Sequence, residues 1–209
     1  MSTVDGPSGG EAASAVVLAG GASRRMGRDK RLLPWGTGAD GRPRTLLQQV
    51  IDTLAAVADD VIVVANDRPD VRGARVVPDA IPGSGSLGGI LSGIEAARRD
   101  RVFVAAADMP FLSTTLVRDL LDRLEGHDAV VPIVDGRPEP LHAVYGPAVG
   151  AAARRQIARG QLKIALAFEG LDIVRVPEAE LREFDPGLRS FRNVNTPDDY
   201  AGARRDAGA

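Results

Sequence analysis

Short apolar runs alternate with helix-type patterns along most of the chain. The first run is Ala15-Val16-Val17-Leu18, and similar valine-rich runs recur up to residue 176. Runs of this length and composition are typical of strands that are buried on both faces of a sheet. The predicted strands cover residues 15–18, 61–64, 75–77, 102–106, 129–133, 141–145 and 173–176.

Helix-type spacing of apolar residues fills most intervals between these strands. Thr45 begins the first predicted helix, with Gln48 three residues later as a capping box and the following apolar positions on one helical face. Residues 19–44 contain many Gly, Arg and Pro residues and are predicted to form a long loop with one short turn. The other predicted helices run from the glycine-rich segment Gly83–Gly89 to about Arg99, from Ser113 to about Leu124, from Pro147 to about Arg159, from Leu162 to Phe168 and from Thr196 to about Arg205.

The alternation of strands and helices predicts a single α/β domain. Strands that are joined through helices form a doubly wound, mostly parallel sheet with helices on both faces, which is a Rossmann-like architecture. The domain is expected to span residues 14–205, between a disordered leader at 1–13 and a frayed tail at 206–209. Ligands of such folds bind beyond the carboxyl ends of the strands, so the segments that follow the strands should carry the function.

Composition excludes several classes of site in this chain of 209 residues. It has no cysteine, which rules out disulfides, thiolate metal sites and a cysteine nucleophile, and its two histidines exclude a histidine-rich metal centre. A net charge of -2, the lack of a long apolar segment and the lack of a signal-type start predict a cytoplasmic protein that binds neither nucleic acid nor a membrane. Lys30 and Lys163 are the only lysines among 26 basic residues. In so arginine-rich a chain, a lysine at position 30 indicates a site that needs a compact point charge and not a guanidinium fork.

A glycine-rich and basic segment follows the first predicted strand. Gly20 and Gly21 allow the backbone to approach a ligand closely, and Arg24, Arg25, Arg28 and Lys30 place four cations within seven residues. A triphosphate requires both features together. The segment is neither a Walker A loop nor a dinucleotide fingerprint, because it lacks the spacing of GxxxxGK[ST] and of GxGxxG. A solvated basic loop is the simpler alternative, but the fuller pattern after the first strand favours phosphate binding.

Two further segments follow predicted strands and carry polar candidates. Asp108 follows the strand at 102–106, where a carboxylate is well placed to hold Mg²⁺ together with phosphate oxygens. A simple turn-capping role before Pro110 is the alternative for Asp108. Asp79 is followed by the glycine-rich segment that runs from Gly85 to Gly89.

These motifs together resemble the MobA-type molybdenum cofactor guanylyltransferases, within the MobA-like NTP transferase superfamily. The segment LAGGASRRMGRDK at 18–30 is similar to the opening signature of that superfamily, GSLGG at 85–89 to its G-P-L-A-G element, and DMPFL at 108–112 to its metal-binding aspartate motif. At the C-terminal end, FRNVNTPDD at 191–199 resembles the F-x-N-x-N-T-P-E-D element of the guanylyl-transferring branch, and the segment 136–145 is also typical of it. The resemblance covers about residues 15–200, and it departs from the pattern at Ser86 and Gly88.

The resemblance implies transfer of GMP from GTP to the terminal phosphate of molybdopterin-bound molybdenum cofactor, with release of pyrophosphate. It implies Mg²⁺ on Asp108, contact of Lys30 with the α-phosphate and the leaving group, and contact of Arg24 or Arg25 with the β- and γ-phosphates. The N-terminal half would bind the nucleotide and the C-terminal half the pterin. The implied nucleotide-binding residues are Leu18, Ala19, Gly20, Gly21, Lys30, Asp79, Gly85, Gly89 and Asp108, and the implied pterin-binding residues are Asn193, Asn195 and His142. His142 could equally be a hydrogen-bonded structural residue.

Donor and acceptor chemistry adds a hypothesis about base recognition, since the Asp79 carboxylate could accept from the N1–H and N2–H₂ edge of guanine, which cytosine does not reproduce. Three alternatives remain open at this point: a cytidylyltransferase for the same cofactor, a nucleotidyltransferase for another small phosphorylated molecule, and a non-catalytic carrier or chaperone of the finished cofactor. Molybdoenzymes or their chaperones are the candidate recipients of the product.

Overall fold

The computed structural model describes residues 12–20, 29–38 and 40–208. The strands in this part of the chain are β1 (Ser14–Leu18), β2 (Pro34–Thr37), β3 (Pro43–Thr45), β4 (Asp60–Val64), β5 (Arg75–Val77), β6 (Val102–Ala106), β7 (Ala129–Val134), β8 (Arg137–Pro138), β9 (His142–Tyr145) and β10 (Ile173–Val176). The α-helices are α1 (Leu46–Leu54), α2 (Gly85–Ala96), α3 (Thr114–Asp122), α4 (Pro147–Ala158), α5 (Glu178–Phe184) and α6 (Pro197–Ala207). Short 3₁₀ helices cover Lys30–Leu32, Ile164–Phe168 and Arg189–Phe191.

Eight of these strands form one mixed sheet in the order β10-β7-β9-β6-β1-β4-β5, with β8 paired to β7. The pairs of β1 with β4 and β6, of β4 with β5 and of β7 with β10 are parallel. Strand β9 runs antiparallel to both of its neighbours, β6 and β7. The predicted mostly parallel, doubly wound sheet is therefore confirmed, with one reversed strand inserted beside β6.

Both faces of the sheet are covered, which explains why its central strands β1, β4 and β6 are apolar apart from Ser14 and Asp60 at the amino ends of β1 and β4. Val16 belongs to one buried cluster and Val17 to the other, and the same alternation continues along β4 and β6. Helices α1, α3 and α5 contribute to the cluster around Val17. Helices α2 and α4 contribute to the cluster around Val16. A strand that is buried on both sides needs apolar residues at consecutive positions, not at every second one.

Gly93 sets the distance between α2 and the sheet. A Cβ atom at this position would lie 2.5 Å from Cγ1 of Val16. We expect Gly93→Ala to lower the free energy of unfolding by about 1–3 kcal/mol, because the added methyl group forces the helix away from a packed strand. Urea denaturation would measure this loss.

Gly202→Ala in α6 is the matched control, since a Cβ atom there would meet only the ends of the Arg192 and Arg205 side chains. A helical glycine whose close neighbour is the flexible end of an arginine side chain, here 3.1 Å away, should tolerate alanine, with a gain of up to about 0.5–1 kcal/mol. Equal effects of the two substitutions would contradict the role that we assign to Gly93.

The strand order reverses direction at β1, and this places a crevice at its carboxyl end. Leu18 at the end of β1 pairs with Val64 of β4 on one side and with Ala106 of β6 on the other. The chain first extends the sheet from β1 through β4 to β5 and then crosses back to β6. Parallel sheets bind ligands at such a reversal, outside the carboxyl ends of the strands.

The prediction of a long loop over residues 19–44 is wrong for its second half. The 3₁₀ helix at 30–32 agrees with the predicted short turn, but β2 and β3 pair as an antiparallel ribbon that was not predicted. The ribbon is held by tertiary contacts, because the Trp35 side chain is buried and packs edge-on against Phe111. The glycine and proline content of the segment predicted a loop. No local sequence pattern indicates the packing of Trp35 on Phe111 that stabilises the ribbon.

Helix ends and lengths differ from the predictions in several places. Thr45 Oγ1 accepts from the backbone N–H of Gln48 at 3.2 Å as predicted, but the Gln48 side chain bonds to Asp52 and Arg72, so the capping box is only half formed. The predicted helix at Leu162–Phe168 is a shorter 3₁₀ helix, and α5 was not predicted. Across the described ranges, every helix is too short or too polar to cross a membrane.

Candidate active site

Three candidate positions lie just beyond the paired residues that end β1, β4 and β6. Gly20, Asn66 and Asp108 each lie two residues beyond the paired residues Leu18, Val64 and Ala106. Backbone hydrogen bonds keep this edge in register, since Ala19 N–H donates to the carbonyl of Val64 at 3.0 Å and Ala107 N–H to that of Leu18 at 3.1 Å. The sheet therefore brings residues of distant sequence position to one crevice.

Lys30 reaches into this crevice and meets two other predicted residues. Its Nζ donates to a carboxylate oxygen of Asp108 and, at 3.0 Å, to the side-chain oxygen of Asn195. The Lys30 and Asp108 side chains retain 21% and 14% exposure, so the pair is accessible from the crevice. The ammonium of Lys30 and the carboxylate of Asp108 therefore face each other directly.

The C-terminal segment is fastened to this pair through its backbone. Val194 N–H donates to the carbonyl of Asp108 at 2.9 Å. The carboxylate of Asp199 accepts from Asn195 N–H at 3.0 Å and from Thr196 N–H at 2.9 Å, which caps α6 and lowers the pKa of Asp199. These bonds hold the Asn195 side chain against Lys30, although the two residues are 165 positions apart in the sequence.

Asp79 lies beyond β5, and a buried serine holds it in place. Its Oδ1 accepts from the Ser92 hydroxyl at 3.1 Å and from Ile81 N–H at 3.2 Å. Its backbone N–H donates to the Asn66 side chain at 2.9 Å, which ties the position to the end of β4. A Cβ atom at Gly88 would lie 3.2 Å from Asp79 Oδ1 and 2.6 Å from Ser84 Cβ, so the glycine makes room for the carboxylate.

The remaining predicted nucleotide-binding residues lie along the same edge or outside the described residues. Gly85 begins α2 with φ +59°, and Gly89 packs on Leu18, where an added Cβ atom would be 3.1 Å from its Cδ2. Gly20 is exposed beyond the end of β1, and no atom of the described residues lies within 4 Å of the position that a Cβ would occupy there. The predicted residues Gly21, Arg24 and Arg25 lie outside the described residues.

The structure does not bring His142 to the surface of the crevice. The side chain is fully buried between the rings of Phe103 and Phe191, with centroid distances of 5.1 and 4.4 Å. Neither ring nitrogen has a hydrogen-bond partner among the described residues, and burial lowers the pKa of His142 to about 3. It is therefore a neutral ring in the core and not the hydrogen-bonded structural residue of the alternative interpretation.

Asn193, the other predicted pterin-binding residue, is half-buried. Its Oδ1 is buried and has no hydrogen-bond partner within the described part of the chain. Asn193 lies one residue before Val194, whose backbone is bonded to Asp108. The two asparagines thus flank a backbone contact with the carboxylate, and only Asn195 reaches Lys30.

Sequence reasoning missed the residue that follows Lys30. Arg31 donates to Asp29, to Asp67 and, at 2.6 Å, to the carbonyl oxygen of Ala19. Its hydrogen bonds lower the pKa of both carboxyl groups, and the two carboxylates raise the pKa of Arg31. Two of its three partners, Ala19 and Asp67, lie 12 and 36 positions away in the sequence, so no local pattern distinguished this arginine from the others.

Comparison with known proteins shows the family to which this site belongs. Residues 15–170 match the model of the MobA-like NTP transferase domain. A probable molybdenum cofactor guanylyltransferase of Methanosarcina mazei is 37% identical over 202 residues, which cover 89% of this chain and 87% of that relative. A protein of the same name from Chloroflexus aggregans is 39% identical over 194 residues, with coverage of 89% and 90%.

A solved structure agrees with these sequence relatives. The molybdopterin-guanine dinucleotide biosynthesis protein A of Archaeoglobus fulgidus superposes with a TM-score of 0.76 at 30% identity, over 93% of this chain and 98% of that one. The family model spans well over half of the chain, and the relatives cover nearly all of it at more than 30% identity. The chain belongs to the MobA-like NTP transferase family.

Proposed function

We infer that the chain is a molybdenum cofactor guanylyltransferase, which transfers GMP from GTP to the terminal phosphate of molybdopterin-bound molybdenum cofactor. The names of the relatives that cover most of the chain support this reaction. The observation that carries the proposal is the accessible Lys30–Asp108 pair at the reversal point of the sheet. A site for phosphate transfer needs both a cation for the phosphates and a carboxylate for a metal ion.

The reaction is a displacement at the α-phosphorus of GTP. An oxygen of the cofactor's terminal phosphate forms the new P–O bond, the bond to the bridging α,β-oxygen breaks, and pyrophosphate leaves with its electron pair. The attacking group is already an anion, so no general base is required. The protein therefore has to align two anions and neutralise their charge.

Each residue in the crevice suits one part of this task. Lys30 would contact the α-phosphate and the leaving group, and Arg24 or Arg25 the β- and γ-phosphates. Backbone N–H groups of Gly20 and Gly21 would donate to phosphate oxygens. Asn195, which bonds to Lys30, would contact the pterin substrate beside the nucleotide.

Asp108 is the residue that fits a magnesium ion. Mg²⁺ is commonly held by one or two carboxylates together with substrate phosphates, so a single strand-end carboxylate suffices. No cluster of three or more acidic or histidine side chains within the described ranges could hold the ion without the substrate. When bound, Mg²⁺ would neutralise phosphate charge, while Lys30 would turn from Asp108 towards the phosphates.

Pyrophosphate release is the direct test of this function. The chain is incubated with Mg²⁺, molybdopterin-bound cofactor and GTP, CTP, UTP or ATP in separate reactions. Rapid release of pyrophosphate with GTP, but not with the other three nucleotides, supports the proposal. Preference for CTP would indicate the cytidylyl reaction, and binding of the cofactor without release under any condition would indicate a carrier.

Asp79→Asn tests whether the Asp79 carboxylate recognises the guanine base. Asparagine keeps an oxygen that can accept from Ser92 and Ile81, but its amide NH₂ is a donor where guanine also presents donors. We expect the ratio of kcat/KM for GTP to that for ATP to fall by about 10- to 100-fold, because a buried hydrogen bond is replaced by a clash of donors.

Asp122→Asn is the matched control for the Asp79 variant. This carboxylate is exposed and pairs with Arg101, near the amino end of β6 and away from the crevice. Its nucleotide preference should equal that of the unmodified chain. An unchanged preference in Asp79→Asn would remove Asp79 from base recognition.

A further inference from the structure

Arg31 joins three segments that meet beside the crevice. Its guanidinium donates through Nη1 to the Ala19 carbonyl at 2.6 Å and to Asp67 at 3.0 Å, and through Nε to Asp29 at 2.9 Å. Its Nη2 also donates to both carboxylates. The Arg31 side chain is only 12% exposed, so its bonds to Ala19 and Asp29 are partly shielded from water.

The three partners of Arg31 lie at the ends of three different elements beside the crevice. Ala19 lies directly beyond β1, and Asp67 lies three residues beyond the end of β4. Asp29 caps the 3₁₀ helix that begins with Lys30, because its side chain accepts from Arg31 N–H at 3.0 Å. One side chain therefore sets the distance between the end of β1 and the turn that carries Lys30.

We propose that Arg31 is a positioning residue, which holds Lys30 and the carboxyl end of β1 in the arrangement that binds the nucleotide phosphates. This inference rests on the proposed function, because it assigns Arg31 a role in the binding of GTP. The role needs an arginine: its planar fork offers five donors in fixed directions, whereas a lysine ammonium is a single point. Without the guanidinium, the carboxylates of Asp29 and Asp67 would also repel each other.

The test compares Arg31→Lys with a matched variant elsewhere in the fold. Arg75 also bonds to a carboxylate, that of Asp60, and to a backbone carbonyl, that of Ala96, but at the amino ends of β4 and β5. We expect kcat/KM for GTP to fall by up to about 100-fold in Arg31→Lys, through a higher KM for GTP and a lower kcat. Arg75→Lys should change neither constant, and the KM for the molybdenum cofactor should stay constant in both variants.

A second variant keeps the test decisive if Arg31→Lys folds poorly. Asp67 is 58% exposed, so Asp67→Asn should fold normally while it weakens one arm of the arginine network. We expect a smaller rise in the KM for GTP, in the same direction. Thermal unfolding of all variants shows whether the kinetic changes exceed those that lost stability would cause.

Two outcomes separate the failure of this inference from that of the proposed function. If the unmodified chain releases pyrophosphate and Arg31→Lys behaves like Arg75→Lys, the positioning role is refuted and the function stands. If the unmodified chain releases none, the proposed function fails, and calorimetric titration with Mg²⁺ and GTP still tests Arg31. In that case, weaker GTP binding by Arg31→Lys than by Arg75→Lys supports the positioning role. Equal affinities of the two variants for GTP, or no GTP binding by the unmodified chain, would overturn it.

Discussion

Lys30→Ala is expected to lower the rate of GMP transfer by at least about 100- to 1,000-fold while the chain remains folded. The Lys30 ammonium lies against the Asp108 carboxylate, and it would neutralise charge on the α-phosphate and on the departing pyrophosphate. Loss of one preorganised donor that acts on developing charge typically costs a factor of this size. Single-turnover measurements of pyrophosphate release at saturating GTP would give the rate.

The Arg99–Asp59 ion pair supplies the control for this substitution. It lies next to the amino ends of β4 and β6, and both side chains are 45% exposed. Arg99→Ala removes a cation from an ion pair without touching the crevice, so transfer should proceed at the rate of the unmodified chain. Near-normal turnover in Lys30→Ala would exclude Lys30 from the chemistry.

Asp108→Asn is expected to have an effect of similar size for a different reason. The substitution keeps the shape of the side chain and the backbone bond from Val194 but removes the charge that would hold Mg²⁺. We expect transfer to slow by about 100- to 1,000-fold and to require a higher Mg²⁺ concentration for half-maximal rate. The rate is measured over a series of Mg²⁺ concentrations at fixed GTP.

Asp59→Asn is the matched variant, because it removes the carboxylate of the remote ion pair. It should leave the Mg²⁺ dependence unchanged. An Asp108→Asn chain with the same Mg²⁺ requirement as Asp59→Asn would show that Asp108 does not bind the ion. The double variant Lys30→Ala with Asp108→Asn should be little worse than either single one, since residues that act as a unit have non-additive effects.

Much of the sheet and its helices was predictable because the sequence pattern reports burial directly. Strands β1, β4 and β6 are buried on both faces and therefore appear as continuous apolar runs. Helix α1 has its buried residues on one face and a threonine cap that accepts from Gln48 N–H. Lys30 and Asp108 were expected at one edge of the sheet because both lie in segments that follow strands, but their direct hydrogen bond was not predicted.

Other parts of the fold depend on contacts that no local pattern reports. The β2–β3 ribbon exists because Trp35 packs against Phe111 and Tyr200, which come from distant positions in the sequence. Strand β9 was predicted as a strand, but its antiparallel direction follows from its insertion between β6 and β7. The insertion buries His142, which had been predicted as a pterin contact on its motif position alone.

The residues that position the site were the hardest to predict. Ser92 is a serine within a helix, and its bond to Asp79 appears only when α2 packs beside β5. Arg31 is one arginine among 24, and its partners at positions 19 and 67 meet it only in the folded chain. The candidate residues for the chemistry could be recognised from sequence motifs, whereas the residues that orient them can be recognised only in the folded structure.

A crystal structure of the chain with Mg²⁺ and a GTP analogue that has a methylene group between the α- and β-phosphorus atoms tests the central claim most directly. The account predicts that the triphosphate separates Lys30 from Asp108, with Nζ on an α-phosphate oxygen and the carboxylate on the ion. A triphosphate bound elsewhere, with the Lys30–Asp108 pair still closed, would contradict it.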